Sequence, residues 1–124
     1  MRDGKYVILC IDDDPDVLSF MRLVLEKHNY VVESAGSAED GEKKFKEIKP
    51  DLIIVDLMME EIDSGTDFVR SLQAMGAQVP IYMLSAAGDQ LNMITDYSAL
   101  GLAGVFQKPI NPDNLLSVLK AKLK

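Results

Sequence analysis

Short apolar runs alternate with amphipathic stretches along the whole chain. Nearly uninterrupted apolar runs are typical of strands that are buried on both faces of a parallel sheet. The stretches between them repeat apolar residues at helical spacing, as at Val17, Met21, Val24 and Leu25. The predicted strands are Tyr6–Ile11, Tyr30–Val32, Leu52–Val55, Ile81–Leu84 and Gly104–Phe106.

The predicted helices carry recognisable start and stop signals. Pro15 opens the first helix, where proline is tolerated, and Asp14 before it is the expected N-cap. Ser37, with Asp40 three residues later, resembles a capping box at the second helix. The other helices are predicted around Phe68–Met75 before Gly76, around Leu91, Ile94 and Tyr97 or Ser98, and around Leu115–Leu123 after Asn111-Pro112.

Five strand–helix units in strict alternation predict an α/β fold, a parallel sheet with helices on both faces. A doubly wound sheet suits 124 residues, whereas an eight-stranded barrel needs about twice that length. No repeat, low-complexity tract or linker interrupts the pattern. We therefore expect one domain that spans residues 1–124.

Polar residues follow the apolar runs at the predicted carboxyl ends of the strands. Asp12-Asp13-Asp14 follows the first run, Asp56 the third and Ser85 the fourth, and Lys108 lies two residues after the fifth. In an open parallel sheet the ligand crevice lies outside these ends, where the strand order reverses. One crevice is therefore expected to collect several carboxylates, a hydroxyl and an ammonium.

That set of groups predicts phosphoryl chemistry on an aspartate. Crowded carboxylates repel one another and are stabilised together by a hard divalent cation, for which Mg²⁺ is the natural choice. Lys108 and Ser85 are suited to phosphoryl oxygens. One carboxylate, with Asp56 the most central candidate, is then the expected nucleophile that forms an acyl phosphate.

The composition narrows the classes of protein and of binding site that the chain can represent. The chain is 48% hydrophobic, which excludes disorder, and 20 acidic against 13 basic residues give a net charge of −7, which disfavours nucleic acid and anionic membranes. One cysteine and one histidine form neither an internal disulfide nor a zinc site. The apolar runs are too short to span a membrane, and no signal peptide is evident. These features predict a soluble, cytoplasmic protein.

Taken together, four motifs resemble the receiver domain of two-component response regulators. The first two are Ile8–Asp14 and Asp51–Met59, which contain the acidic residues, and the others are Leu84-Ser85-Ala86 and Gln107-Lys108-Pro109. Each motif is weak alone, but the four in this order cover essentially the whole chain. The resemblance implies a flavodoxin-like receiver fold, a doubly wound five-stranded parallel sheet of order 2-1-3-4-5 with five helices.

The resemblance also implies a role for each site residue. Asp56 would accept the phosphoryl group. Asp13 would ligate Mg²⁺ directly, Asp12 largely through water, and the backbone carbonyl of Met58 would be a further ligand. Ser85, Lys108 and the backbone N–H of Ala86 would contact the phosphoryl oxygens, and the Lys108–Pro109 bond would be cis. Such a domain catalyses its own phosphorylation and dephosphorylation without being a conventional turnover enzyme.

Three positions depart from the family pattern. Glu60 stands where proline is usual, and Gly65 comes one residue late, so the loop after Asp56 is longer and more acidic. Val105 stands where an aromatic switch residue is often found, and Phe106 is expected to face the other side of the sheet. These departures weaken the expectation of an aromatic switch.

The partners implied are a sensor histidine kinase or a histidine phosphotransfer protein, and an unidentified downstream protein. The signal would pass through protein contacts on the face formed by the fourth predicted helix, the fifth strand and the last helix, and homodimerisation stays open. Three alternatives also stay open: a phosphatase with Asp56 as its nucleophile, a degenerate receiver that binds partners without phosphorylation, and a receiver cut from a larger regulator.

Overall fold

The computed structural model describes residues 2–56, 64–85 and 101–123. The helix predicted around Leu91–Ser98 lies outside the described residues. In chain order, the elements are Val7–Ile11 (β1), Pro15–Glu26 (α1), Val31–Ala35 (β2), Ala38–Ile48 (α2), Leu52–Asp56 (β3), Ser64–Ala74 (α3), Ile81–Ser85 (β4), Gly104–Gln107 (β5) and Pro112–Lys122 (α4).

The five strands form one parallel sheet of order β2-β1-β3-β4-β5, which confirms the predicted flavodoxin-like topology. The strand order reverses between β1 and β3, because the chain first adds β2 on one side of β1 and then adds β3 on the other. In this register Ile11 lies opposite both Ala35 and Val55. The carboxyl ends of β1 and β3 therefore lie side by side at the switch point, where this class of sheet forms its ligand crevice.

The helices pack on both faces of the sheet. On one face α1 and α4 cover β-strand residues, with Met21, Leu25, Leu115 and Leu119 completely buried. On the other face α3 contributes Phe68, Val69 and Leu72, and partly buried residues of α2 pack beside them. The three central strands are buried along their whole length, which explains why their sequences read as continuous apolar runs instead of alternating ones.

Strand β2 extends further than its apolar run predicts. The expected strand was Tyr30–Val32, but the pairing with β1 continues to Ala35 through Glu33 and Ser34. Both polar residues have side-chain partners: Arg2 pairs with Glu33 at 2.8 Å, and Arg22 approaches the Ser34 hydroxyl at 3.5 Å. An edge strand tolerates such residues because it is only half covered, so hydrophobicity alone predicted its end too early.

The predicted helix caps are confirmed. Asp14 Oδ1 accepts a hydrogen bond from the backbone N–H of Asp16 at 2.9 Å, and Ser37 Oγ accepts one from Asp40 at 3.1 Å. Asn111 caps α4 in the same way, ahead of Pro112. Each side chain satisfies an N–H that the first turn of a helix leaves without an intrahelical partner. Within the described ranges, no helix has the length and apolar character needed to cross a bilayer.

Candidate functional site

The strand register brings the predicted acidic residues together. Ile11 pairs with Val55, so the next residues in the two strands, Asp12 and Asp56, lie side by side beyond the last apolar pair. Asp12 is completely buried and Asp56 is 3% exposed, whereas Asp13 is exposed. Oxygen atoms from the three carboxylates lie within 4.8 Å of one another. The structure therefore assembles three of the acids that the sequence singled out.

Such a cluster is costly without a cation. Two unit charges about 5 Å apart repel by roughly 3 kcal/mol at an effective dielectric of 20. Burial of Asp12 and Asp56 adds a desolvation penalty, because water no longer solvates their charges. The arrangement is therefore stabilised by any group that brings positive charge between the carboxylates.

Lys108 supplies one such charge. Its Nζ lies 3.1 Å from Asp12 Oδ2 and 3.2 Å from Asp56 Oδ1, so that one ammonium bridges both buried acids. Partial burial by itself lowers the pKa of Lys108, but the adjacent Asp56 and Asp12 carboxylates outweigh this effect and raise the pKa above its ordinary value. Lys108 thus stays charged at neutral pH. Its backbone N–H also donates to the Ser85 carbonyl at 2.8 Å, and the Lys108–Pro109 bond is cis, as predicted.

The same site fits a divalent cation. Asp12 Oδ1 accepts a hydrogen bond from the backbone N–H of Asp14 at 2.9 Å. Asp12 Oδ2 is buried and, among the described residues, has the Lys108 contact but no hydrogen bond of regular geometry. Carboxylate oxygens with spare lone pairs are the ligands that Mg²⁺ prefers. The donor set of Asp12, Asp13 and Asp56 therefore suits such an ion.

Ser85 completes the described part of the predicted site. It ends β4 beside β3, where Asp56 pairs with Leu84, and it is 3% exposed. Together with Asp12 and Asp56 it makes up the buried polar residues of the described core. The Met58 carbonyl, the Ala86 N–H and the acidic loop containing Glu60 lie outside the described residues, so their predicted roles stay predictions.

The two residues before Gln107 face opposite sides of the sheet, as expected. Val105 packs against the cluster on the α2–α3 face, and Phe106 belongs to the cluster on the α1–α4 face. Phe106 stacks on Tyr82 with ring centroids 5.1 Å apart and an interplanar angle of 29°. The aromatic side chain of this strand is therefore part of the core beneath α1 and α4.

A mainly apolar pocket of about 240 Å³ adjoins the acidic cluster and shares Lys108 with it. No local sequence signal indicates this pocket, because its walls come from the first turns of α1 and from the loop after β5. Only their juxtaposition in the fold creates it. The lining residues are Asp16, Val17, Phe20, Lys108, Pro109 and Ile110.

Comparison with known proteins places this chain in a known family. The sequence matches the family described as the response regulator receiver domain over residues 8–120. The transcriptional regulatory protein ResD of Bacillus subtilis is 32% identical over 117 residues, which are 94% of this chain and 48% of ResD. The chain thus spans about half the length of the curated relatives it matches.

Solved structures show the same fold. A response regulator receiver domain protein (CheY-like) from Methanospirillum hungatei superposes with a TM-score of 0.87 and 26% identity, over 97% of this chain and 94% of that one. The chemotaxis response regulator CheY4 of Vibrio cholerae gives a TM-score of 0.84 and 27% identity, over 97% and 100%. Both matches extend over nearly the full length of each chain. On the family match, the fold and the clustered acids, the chain belongs to the response regulator receiver domain family.

Proposed function

We propose that residues 1–124 form a receiver domain that takes a phosphoryl group onto Asp56 in a Mg²⁺-dependent reaction. The donor is a phosphohistidine on a sensor histidine kinase or a histidine phosphotransfer protein, and the exchange takes place in the cytoplasm. The observation that carries this proposal is the bridging ammonium: Lys108 lies 3.1 and 3.2 Å from two buried carboxylates, beside the third acid, Asp13. A buried acid with a neighbouring cation is suited to receive a phosphoryl group.

The proposed step is a substitution at phosphorus. An Asp56 carboxylate oxygen forms the new O–P bond while the N–P bond to the donor imidazole breaks. The imidazole nitrogen keeps the electron pair of that bond and takes a proton from solvent. When bound, Mg²⁺ would neutralise negative charge between the carboxylates and the phosphoryl oxygens, held by Asp12, Asp13, Asp56 and the Met58 carbonyl. Asp56 itself is the nucleophile of an acyl phosphate.

Two of the described residues, Lys108 and Ser85, are placed to interact with the transferred phosphoryl group. In the structure Lys108 is shared between Asp12 and Asp56, so that its ammonium already lies where a phosphoryl group on Asp56 would need a counter-charge. Ser85, at the end of the next strand, carries a hydroxyl that can donate to a phosphoryl oxygen. Both residues therefore act by positioning and charge neutralisation, which dominate phosphoryl transfer.

A shift of the Lys108 ammonium from these two acids toward a phosphoryl group on Asp56 would provide a route for the signal. Movement of its ammonium toward a phosphoryl group would loosen its contact with Asp12 and change the loop that joins β5 to α4. A receiver that has two such arrangements responds by a population shift. We propose that the output is protein binding at the face formed by β5, α4 and the helix predicted around Leu91–Ser98. This proposal does not use an aromatic flip in β5, because Val105 stands where the aromatic switch residue is often found.

The curated relatives include transcriptional regulators, but the match does not extend DNA binding to this chain. The chain corresponds to about half the length of those proteins. Its net charge of −7 also opposes contact with a polyanion. We therefore propose protein partners for this part of the molecule. The apolar pocket is a candidate contact for the phosphodonor, because it shares Lys108 with the acidic site.

The test is intact-mass spectrometry of the purified protein after incubation with acetyl phosphate. We expect a phosphoryl adduct that requires Mg²⁺ and is absent from the Asp56→Asn variant. A Glu47→Gln variant, which neutralises an exposed acid of α2, is the matched control and should form the adduct as the wild type does. A folded wild-type protein that forms no adduct would contradict the proposal and favour the degenerate, partner-binding receiver. Sustained release of phosphate from small substrates would instead favour a phosphatase.

A further inference from the structure

The turn between β1 and α1 connects a helix cap to a buried acid of the site. Asp14 caps α1, since its Oδ1 accepts from the backbone N–H of Asp16 at 2.9 Å. The backbone N–H of Asp14 itself donates to Asp12 Oδ1, also at 2.9 Å. The extended conformation of Asp14, with φ −93° and ψ 109°, is typical of an N-cap and directs its N–H back toward Asp12.

This contact determines which oxygen of Asp12 faces the site. Asp12 is completely buried, and its backbone N–H donates to the Ala35 carbonyl at 3.1 Å, so its main chain is held by β2. With Oδ1 occupied by the Asp14 N–H, Oδ2 is the oxygen that lies 3.1 Å from Lys108 Nζ. Oδ2 otherwise has no hydrogen bond of regular geometry in the described parts of the chain. The orientation of the Asp12 carboxylate therefore depends on the conformation of Asp14.

We propose that Asp14 is a positioning residue for the cation site: by capping α1 it holds its own backbone N–H against Asp12 Oδ1 and so directs Asp12 Oδ2 toward the cation. This inference rests on the proposed function, because it assigns a role within the same Mg²⁺ site. Groups that hydrogen-bond to a metal-binding carboxylate fix its orientation, and their loss typically weakens metal affinity by about 10- to 100-fold.

The negative charge of Asp14 offers a different explanation for an effect of this residue on Mg²⁺ binding. Substitutions separate the effect of the charge from the effect of the cap. The Asp14 side chain is exposed, so its charge would act on a cation through solvent. Asn caps a helix about as well as Asp but has no charge, whereas Ala has neither the cap nor the charge. Comparison of Asp14→Asn with Asp14→Ala therefore distinguishes positioning from long-range attraction.

The experiment measures Mg²⁺ binding by isothermal titration calorimetry without any phosphodonor. We expect Asp14→Ala to raise the Mg²⁺ dissociation constant roughly ten-fold. Asp14→Asn should stay within about two-fold of the wild type, because it restores the cap. Ser37→Ala removes a cap of the same kind from α2, where Ser37 Oγ accepts from Asp40 at 3.1 Å, and should leave the dissociation constant unchanged. Thermal unfolding followed by circular dichroism shows that each variant is folded at the titration temperature.

Three results would overturn the inference while the proposed function stands. They are unchanged Mg²⁺ affinity in Asp14→Ala, equal weakening in Asp14→Asn and Asp14→Ala, and equal weakening in Ser37→Ala. The second would assign the effect to charge, and the third to general loss of helix stability. A folded wild-type protein that binds no Mg²⁺ would instead overturn the metal dependence in the proposed function, and this inference with it.

Discussion

The two ends of β3 each carry an aspartate, and the two acids have different surroundings. Before the strand, half-buried Asp51 is joined to the start of β1: its Oδ2 accepts from the Val7 N–H at 2.7 Å, and its own N–H donates to the Val7 carbonyl at 2.8 Å. At the other end, Asp56 is 3% exposed and lies among two further acids and Lys108. The first acid is held by a backbone donor, whereas the second is crowded with charge, as the proposed phosphoryl transfer requires.

The same residue type thus has different surroundings just before and at the end of one five-residue strand. Parallel strands bring their carboxyl ends to one edge, where Asp12, Asp56 and Ser85 converge as buried polar groups. At the amino edge, the backbone groups that begin the strands need partners, and Asp51 provides one. The comparison shows that position at the sheet edge, and not residue type, separates an acid bound to the backbone from an acid crowded with other charges.

The largest expected difference comes from removing each of these two acids. Asp56→Asn should abolish the phosphoryl adduct with acetyl phosphate and Mg²⁺ but leave the protein folded, since it reduces charge in a crowded cluster. Asp51→Ala should keep the adduct but lower the free energy of unfolding by about 1–3 kcal/mol, because the Val7 N–H loses a charged acceptor. Intact-mass spectrometry and urea denaturation measure the two effects.

Asp51→Asn is the matched control, because it keeps a side-chain oxygen that can accept from Val7. It should lose less stability than Asp51→Ala and should still form the adduct. If a folded Asp51→Ala protein formed no adduct, the separation of roles between the two ends of β3 would be wrong.

A smaller effect is expected from Lys108, the cation at the acidic carboxyl end of β3. Lys108→Ala leaves buried Asp12 and Asp56 without the ammonium that bridges them, and should lower the free energy of unfolding by about 1–2 kcal/mol, less than for a fully buried pair. Mg²⁺ should then stabilise this variant more than it stabilises the wild type, because the ion supplies the missing charge. Urea denaturation with and without Mg²⁺ measures both changes.

Lys120→Ala is the control for this experiment, since Lys120 is exposed in α4. It should change neither the stability nor the response to Mg²⁺. Equal stabilisation of all three proteins by Mg²⁺ would argue against a shared role for Lys108 and the ion.

A pH-dependent effect, which is smallest near neutral pH, is expected from the uncharged interior between the two edges. Cys10 pairs with Ile54 in the sheet and is completely buried, and desolvation raises the pKa of its thiol to about 12. The unfolded chain, in which the thiol titrates near 9.0, therefore releases this proton first. Stability from this group is present below about pH 9 and is lost as the pH rises toward 12, at up to about 1.4 kcal/mol per pH unit.

Cys10→Ala tests this expectation through the slope of stability against pH. The pKa of Lys108 is also raised, as are those of Tyr30 and Tyr82, so alkaline pH destabilises both proteins in the same direction. The variant should nevertheless lose stability less steeply, because it lacks one titrating group. Urea denaturation at several alkaline pH values measures the slopes, and equal slopes would contradict a buried, neutral thiol.

Local sequence signals predicted much of the fold. Runs such as Leu52–Val55 are continuous because the central strands are buried on both faces. Asp14 and Ser37 were recognisable as caps because capping is decided within three residues. The end of β2 was missed, since the partners of Glu33 and Ser34 come from Arg2 and Arg22, outside the strand itself.

The sequence by itself determined the order of the elements, the acids and the lysine at the strand ends, and, through its resemblance to a family, the expected chemistry. Only the tertiary structure decided the distances: one ammonium shared by Asp12 and Asp56, and a pocket between α1 and the loop after β5. The physical reason is that hydrophobic periodicity is a local property of the chain. Contacts between residues more than 40 positions apart depend on strand register and helix packing, which the whole core determines together.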